Sequence, residues 1–411
     1  MRANDRTVAV PEGFERVRVN PETWLLLPLK TAAEVREAAQ RSAWSEEDRR
    51  ANDARWRQAE VEKAEKKKSA DAARKLHDRR AALRAKPKAG SYRVLPQLLE
   101  LASQLTDPHA MERSADKDVN QRRRRLLERL VELGPDRRIA LPENWRTVVD
   151  DLEMTLPHFR APIRTLRHSL ALADATGTPP RVPPLLLLGP PGLGKTYFSH
   201  RVAEMFGSTH SSIQFDQPSA GTALRGTDKH WGNTESGLLF NAICLGKVAN
   251  PVILLDEMDK ATSSSGQHQI DPLAQLHGAL ERETSQRLLD VSVDVSFDAS
   301  LTVYIGTANS LRGIGSPLTS RMEVFVIGPP DKWEAIELAR RISSRVLQGL
   351  KLEGRVEFDY RSLCLLSHLS PRRMTRSAEQ AIAAAVADQR AKIGEDDLWS
   401  EVDGGPASDL H

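Results

Sequence analysis

The chain has 411 residues, enough for one to three domains and a sizeable core. Its formal net charge is only +3 although 28% of residues are charged, so this mixed charge does not by itself indicate a polyanionic partner. The N-terminal stretch MRANDRTVAV lacks the apolar core of a signal peptide, and no apolar run approaches the roughly 20 residues that a bilayer span needs. A soluble cytoplasmic protein with no membrane partner is therefore expected. Cys244 and Cys364 lie in the apolar stretches LLFNAICL and SLCLLS, which reads as buried free thiols in a reducing compartment; a pairing of the two stays open.

Residues 1–31 form an N-terminal segment whose apolar patch, Trp24-Leu25-Leu26-Leu27, lies between Pro21 and Pro28. A strand and a docking segment fit it equally. Residues 32–90 change character. Ala, Arg, Lys and Glu dominate, and neither Gly nor Pro occurs between 32 and 86, which predicts one or two long helices. Trp44, Trp56, Val61, Leu76 and Leu83 are too sparse for an apolar seam. A solvated, charge-laced helix is the plain reading, and an arm that contacts a partner the sharper one. Lys66-Lys67-Lys68 lies among glutamates, which weakens a nucleic-acid arm.

After the break at Pro87–Gly90, residues 91–150 read as a small helical unit. Leu95, Leu98, Leu99, Leu101, Ala102 and Leu105 mark one helix. Leu126, Leu127, Leu130, Val131 and Leu133 mark another, closed by Gly134-Pro135. Arg122–Arg125 open that second helix. Successive residues lie about 100° apart, so four arginines spread around it rather than forming one stripe; they suit a solvated helix end or a phosphate contact. A third helical pattern, roughly 145–175, runs to the turn Thr176-Gly177-Thr178-Pro179-Pro180. No internal repeat is evident.

The informative stretch is Gly189-Pro190-Pro191-Gly192-Leu193-Gly194-Lys195-Thr196, which fits G-x-x-x-x-G-K-[ST] at every fixed position. Glycines let the backbone fold around a phosphate with its N–H groups inward. Lys195 would reach the β- and γ-phosphates, and Thr196 would offer a hydroxyl to Mg²⁺. Upstream, Leu185–Leu188 reads as a buried strand. Downstream, Phe198, Val202, Met205 and Phe206 recur at helical spacing, so the loop opens a helix whose N-terminus favours anions. The cofactors this predicts are ATP and Mg²⁺.

Val252–Leu255 is a second apolar strand, ending in Asp256-Glu257. Asp256 would hold Mg²⁺ and Glu257 would act as general base toward water. A third strand, Leu301–Ile305, runs into Gly306-Thr307-Ala308-Asn309. There Asn309 would orient the attacking water, the plain alternative being a turn-forming Asn. Arg321 follows a loop and precedes the β-rich run Val324–Ile327. Ser370-Pro371-Arg372-Arg373 opens a helix, with Pro371 suited to its first turn. Arginines oppose the dipole at a helix start, so their placement suits a nearby anion. The histidines are scattered, and His268 and His277 lack partners at metal-ligand spacing, so no zinc site is expected.

In this order, the motifs resemble an AAA+ ATPase module, and they are most similar to the ATPase part of Lon proteases. GPPGLGKT and ILLDEMDK resemble its Walker A and Walker B motifs, GTAN its sensor 1, and SRMEVF the segment with the arginine finger. Asp271-Pro272, Phe297-Asp298 and Ser300 also fall where Lon-type modules have similar residues. The resemblance covers residues from about 151 to 390. It implies an α/β P-loop NTPase core with a parallel sheet over 151–330 and a helical lid and tail over 331–411, preceded by a mainly helical region. It assigns Arg321 as a finger that reaches a neighbouring subunit's γ-phosphate, which implies a ring, most naturally a homohexamer. It assigns Arg372 as the sensor 2 arginine, with Arg373 adjacent.

Two departures narrow the expectation. The sequence holds no Ser–Lys context resembling a Lon protease domain, so peptide cleavage by the chain itself is not expected. In Lon-type rings an aromatic–aliphatic pair grips the polypeptide, whereas here Trp231 is followed by Gly232. Trp231 then grips alone, or it is a packing residue. Ser263–Gln267 would be a second pore loop or simply a surface loop. The expected function is an ATP-hydrolysing motor that remodels or unfolds protein clients. The alternatives are a nucleic-acid-linked ATPase, with its basic N-terminal segments on phosphates, and a nucleotide-switched scaffold.

Overall fold

The structure is a computed structural model, and it describes residues 10–20, 23–28, 31–34, 36–37, 46–106, 117–217, 220–226, 236–261 and 272–398. Trp231, Ser263–Gln267 and Asp271 lie outside the described residues, as does the tail from residue 399. The chain divides into two compact units, Met1–Lys75 and Leu76–His411.

In the first unit, β1 (Phe14–Asn20) and β2 (Thr23–Pro28) form an antiparallel hairpin, so the patch at Trp24–Leu27 is a strand. A single long helix, α1 (Glu46–Arg84), follows. Trp56 and Val61 on it are exposed, and Lys66 pairs with Glu62 one turn earlier at 2.6 Å. Along its exposed part the helix carries such pairs rather than a buried stripe, while Leu83, past Lys75 and near its end, is buried in the core.

In the second unit, β3 (Ser91–Arg93) pairs with β4 (Asp136–Arg138) around α2 (Leu98–Ser103) and α3 (Lys117–Leu133). The pattern expected to give one helix over 145–175 gives two, α4 (Trp145–Thr155) and α5 (Arg160–Thr176). Pro157 starts a single 3₁₀ turn between them; it has no amide to continue the ladder, and Leu156 before it is pushed out of helical geometry. Next come β5 (Leu185–Leu188), α6 (Lys195–Phe206), β6 (His210–Gln214), α7 (Ala220–Arg225), α8 (Leu238–Cys244) and β7 (Val252–Asp256). A small hairpin, β8 (Leu288–Asp290) with β9 (Val295–Phe297), precedes β10 (Val303–Ala308) and β11 (Glu323–Val326).

The five long-range strands form one parallel sheet in the order β11-β5-β10-β7-β6. Its central strands are buried on both faces, which is why their sequences are nearly continuous apolar runs. Successive side chains alternate between two cores. Leu185, Leu187, Val303 and Ile305 pack with Phe159, Ile163, Leu166, Phe198 and Phe206 from α4–α6 and the turn between them. Leu186, Ile253, Leu255 and Tyr304 face the other side. There they meet Phe240 and Ile243, and also Leu95, Leu98, Leu127 and Leu130 of the α2–α3 region. The helical segment before residue 145 thus shares a core with the sheet. Arg123 on α3 donates to the Val293 carbonyl at 2.6 Å and to Gln104 at 3.1 Å, and Arg124 pairs with Glu128, while Arg122 and Arg125 stay exposed.

A helical lid ends the described chain. α9 (Lys332–Gly349) starts with a reciprocal capping box between Asp331 and Glu334. With β12 (Glu357–Phe358), α10 (Tyr360–Ser367), α11 (Pro371–Ala387) and β13 (Lys392–Ile393) it closes a separate apolar cluster around Ala339, Leu366, Met374, Ala378 and Ile382. Both cysteines are free thiols; Cys244 is buried, and that burial pushes its ionisation well up. Among the described residues, no helix is long and apolar enough to cross a membrane.

Candidate nucleotide site

The carboxyl ends of parallel strands are where open α/β sheets hold their ligands. β5 ends in the glycine-rich loop, β7 in Asp256 and β10 in Ala308, all at one rim of the sheet. The loop is fixed where it leaves β5. Gly189 donates its amide to the Ala308 carbonyl at 3.1 Å, and a Cβ on Gly189 would lie 2.3 Å from the Ile327 carbonyl oxygen. Gly192 and Gly194 adopt φ of 86° and 89°, which side-chain-bearing residues rarely tolerate. Gly192 also abuts Ser370 at the start of α11, so the lid meets the loop there.

A cavity of about 590 Å³ opens above this rim. Pro191 to Thr196, Asp256, Glu257 and Asn309 line it from the core, and Arg372 from the lid. These are sequence-predicted residues drawn from four separate motifs. Gly189 and Pro190 belong to the same loop and turn their carbonyls onto Lys195, whose Nζ donates to them at 2.5 and 2.9 Å and to Asn309 Oδ1 at 3.3 Å. Burial pulls the Lys195 ammonium down, and the charges of Asp259, Asp256 and Glu257 oppose that pull.

The acidic rim is cross-braced. Thr196 Oγ1 lies 3.4 Å from both carboxylate oxygens of Asp256. Thr307 Oγ1 donates to Asp256 Oδ1 at 2.5 Å and accepts the Glu257 amide at 3.0 Å. Glu257 has a left-handed backbone (φ 57°, ψ 45°), and its carboxylate accepts from Lys260 Nζ at 2.6 Å. Asp259 Oδ2 accepts the amides of Asn309 and Ser310 at 3.0 and 3.2 Å, fixing the chain just past β10. Thr196 and Asp256 together offer the hard oxygen donors that suit Mg²⁺.

Arg321 does not line this cavity. Its guanidinium pairs with Glu281 Oε2 at 2.9 Å and donates to the Pro317 carbonyl at 2.6 Å. Several cavity residues escape sequence reasoning. Thr155 and Leu156 arrive there because Pro157 ends α4, and Thr307, though inside the GTAN motif, has no role that its residue type alone declares. Arg341 and Arg345 of α9 read as solvated positions on an amphipathic helix, yet both line the cavity. Arg345 lies over the Tyr197 ring at 5.3 Å and donates to its hydroxyl, joining lid to α6. His158 donates from Nε2 to the Leu193 carbonyl at 3.0 Å, and burial lowers its affinity for a second proton.

Fold and cavity define a P-loop nucleotide-binding α/β domain with a helical lid. The family model "ATPase family associated with various cellular activities (AAA)" matches residues 185–329. The peroxisomal Lon protease homolog 2 of Eremothecium gossypii is 35% identical over 185 residues, which is 42% of this chain and 18% of that protein. The Lon protease of Magnetococcus marinus is 36% identical over 156 residues, 38% of this chain and 19% of that protein. The chain thus spans about a fifth of the length of the curated relatives it matches. A solved structure of the Thermotoga maritima RuvB Holliday junction branch migration motor aligns with 61% of this chain and 70% of its own, at 18% identity and a TM-score of 0.41. That likeness is too slight to bear on function. The chain carries an AAA+ ATPase domain closely related to the ATPase module of Lon-family proteases.

Proposed function

We propose that the protein hydrolyses ATP in the cavity between sheet and lid, and that it works as a ring, most naturally a homohexamer, remodelling or unfolding protein clients. The observation that carries the ATPase reading is the convergence of the loop, Asp256, Glu257, Asn309 and Arg372 on one cavity. Water attacks the γ-phosphorus, its oxygen–phosphorus bond forms, and the bond to the bridging oxygen of ADP breaks. Glu257 takes the proton of that water, and Asn309 orients it. Lys195, the loop amides and Arg372 offset the phosphate charge. Thr196 and Asp256 would hold Mg²⁺, which when bound neutralises β- and γ-phosphate oxygens.

Arg321 is assigned to the neighbouring subunit's nucleotide. Its place outside its own cavity, held out by Glu281 and the Pro317 carbonyl, supports a role in trans. The protein-client reading rests on the Lon relation and on Trp231 as a lone aromatic grip. A nucleic-acid reading loses part of its support because Arg123 and Arg124 are engaged within the fold. The test is the steady-state ATPase rate alone, with an unfolded protein, and with single- and double-stranded DNA, using Glu257→Gln as the blank. Stimulation by unfolded protein is the expected result. Stimulation by DNA alone would overturn the client assignment, and turnover no higher than the blank would overturn the ATPase.

A further inference from the structure

Thr307 is 2% exposed on the central strand β10, and it reaches two groups at once. A hydroxyl has one proton to give and lone pairs to receive. Here the proton goes to Asp256 Oδ1 at 2.5 Å, and a lone pair takes the Glu257 amide at 3.0 Å. Glu257 stands in the left-handed region at φ 57°, ψ 45°, which residues with side chains occupy uncommonly. The chain leaves β7 at that point, and the Thr307 hydroxyl takes the Glu257 amide there. The same hydroxyl fixes which oxygen of Asp256 is engaged inside the fold. Both oxygens of that carboxylate lie 3.4 Å from Thr196 Oγ1, the other donor assigned above to Mg²⁺.

We propose that Thr307 is a positioning residue that sets the cation-holding carboxylate and the general base in one register, through a single hydroxyl. This rests on the roles assigned above to Asp256 and Glu257. Thr307 acts through those two residues and carries no step itself.

Thr307→Val replaces the hydroxyl with a methyl of similar size, Thr307→Ala removes both branches, and Thr307→Ser keeps the hydroxyl. Steady-state ATP turnover, affinity for a fluorescent ATP analogue and the Mg²⁺ concentration for half-maximal rate are measured for all three. Thr307→Val and Thr307→Ala are expected to lose about 100-fold in turnover, the size of effect a misplaced reacting group brings. They should also need more Mg²⁺, while nucleotide affinity stays within about threefold. Thr307→Ser should recover most of the rate. Near wild-type turnover in Thr307→Val or Thr307→Ala would overturn the proposal. So would parallel loss of rate, affinity and melting temperature in all three variants, which marks a packing role. If wild-type turnover does not exceed that of Glu257→Gln, the ATPase reading itself fails and this proposal with it; a normal wild-type rate with an unaffected Thr307→Val sinks the proposal alone.

Discussion

Glu257 combines a left-handed backbone with a carboxylate on the cavity wall, and Lys260 holds that carboxylate at 2.6 Å. Such a conformation is uncommon outside Gly, Asn and Asp, and it turns the side chain off the line of β7 toward the space above the loop. Glu257→Gln keeps size and backbone while removing the proposed base. It should bind ATP with near wild-type affinity and turn over about 10²–10⁴-fold more slowly, checked by equilibrium binding and phosphate release. His210, on the neighbouring edge strand β6, gives a pH prediction. Burial, aided by charge repulsion from His200, whose ring lies 3.8 Å away between centres, and opposed by Asp256, pushes its pKa from 6.5 down to about 4. The unfolded chain therefore takes up this proton first, and stability falls as pH drops from 6.5 to about 4. His210 is only half-buried, so solvent screening leaves a contribution on the order of 1 kcal/mol. His210→Gln should flatten the acid side of a denaturation-versus-pH curve over that window, whereas an unchanged difference between pH 7 and pH 4.5 would contradict it.

Elements differ in how plainly the sequence announces them, and burial is the reason. Leu185–Leu188, Val252–Leu255 and Val303–Ile305 are apolar because both faces of a central parallel strand are covered. β6 (His210–Gln214) lies at the sheet edge, where of its five residues only Ile213 is buried, so it carries no pattern to read. The 145–175 pattern hid its break because apolar spacing continues on either side of Pro157, and only the proline marks the turn. α2 and α3 are visible as helices, but nothing in their spacing says that Leu98 and Leu130 would pack on the core that contains Ile253. The glycine-rich loop was legible by pattern, and its tightness adds a test. With Ile327's carbonyl 2.3 Å from where a Cβ would stand, Gly189→Ala forces backbone apart. Overpacking of this kind costs about 1–3 kcal/mol. The variant should melt at a lower temperature and, with the loop as the proposed phosphate cradle, bind ATP at least about tenfold more weakly. Unchanged melting and affinity would show that the loop relaxes freely.

At the scale of the molecule, the site is shared by two bodies. The core supplies the loop and the acidic rim, and the lid supplies Arg341, Arg345 and Arg372. The Tyr197–Arg345 contact and the approach of Ser370 to Gly192 tie lid position to the loop. Nucleotide bound between the two would therefore bias how the lid sits. The motif residues were legible because their chemistry forces residue type and spacing. The lid arginines were not, because an arginine on an amphipathic helix looks the same whether it faces water or a phosphate.

On the proposed reading, hydrolysis needs Glu257 from one subunit and Arg321 from the next. The most direct test is ATP turnover by mixtures of Glu257→Gln and Arg321→Ala subunits after exchange. Each variant alone should be nearly silent, Arg321→Ala because removal of such a finger costs roughly 10³–10⁵ in rate. In the mixture, some interfaces pair an intact Glu257 with an intact Arg321, so activity should return, rising to a maximum near equal proportions. A mixture as silent as its parts, or an Arg321→Ala protein that turns over at the wild-type rate, would contradict the shared site.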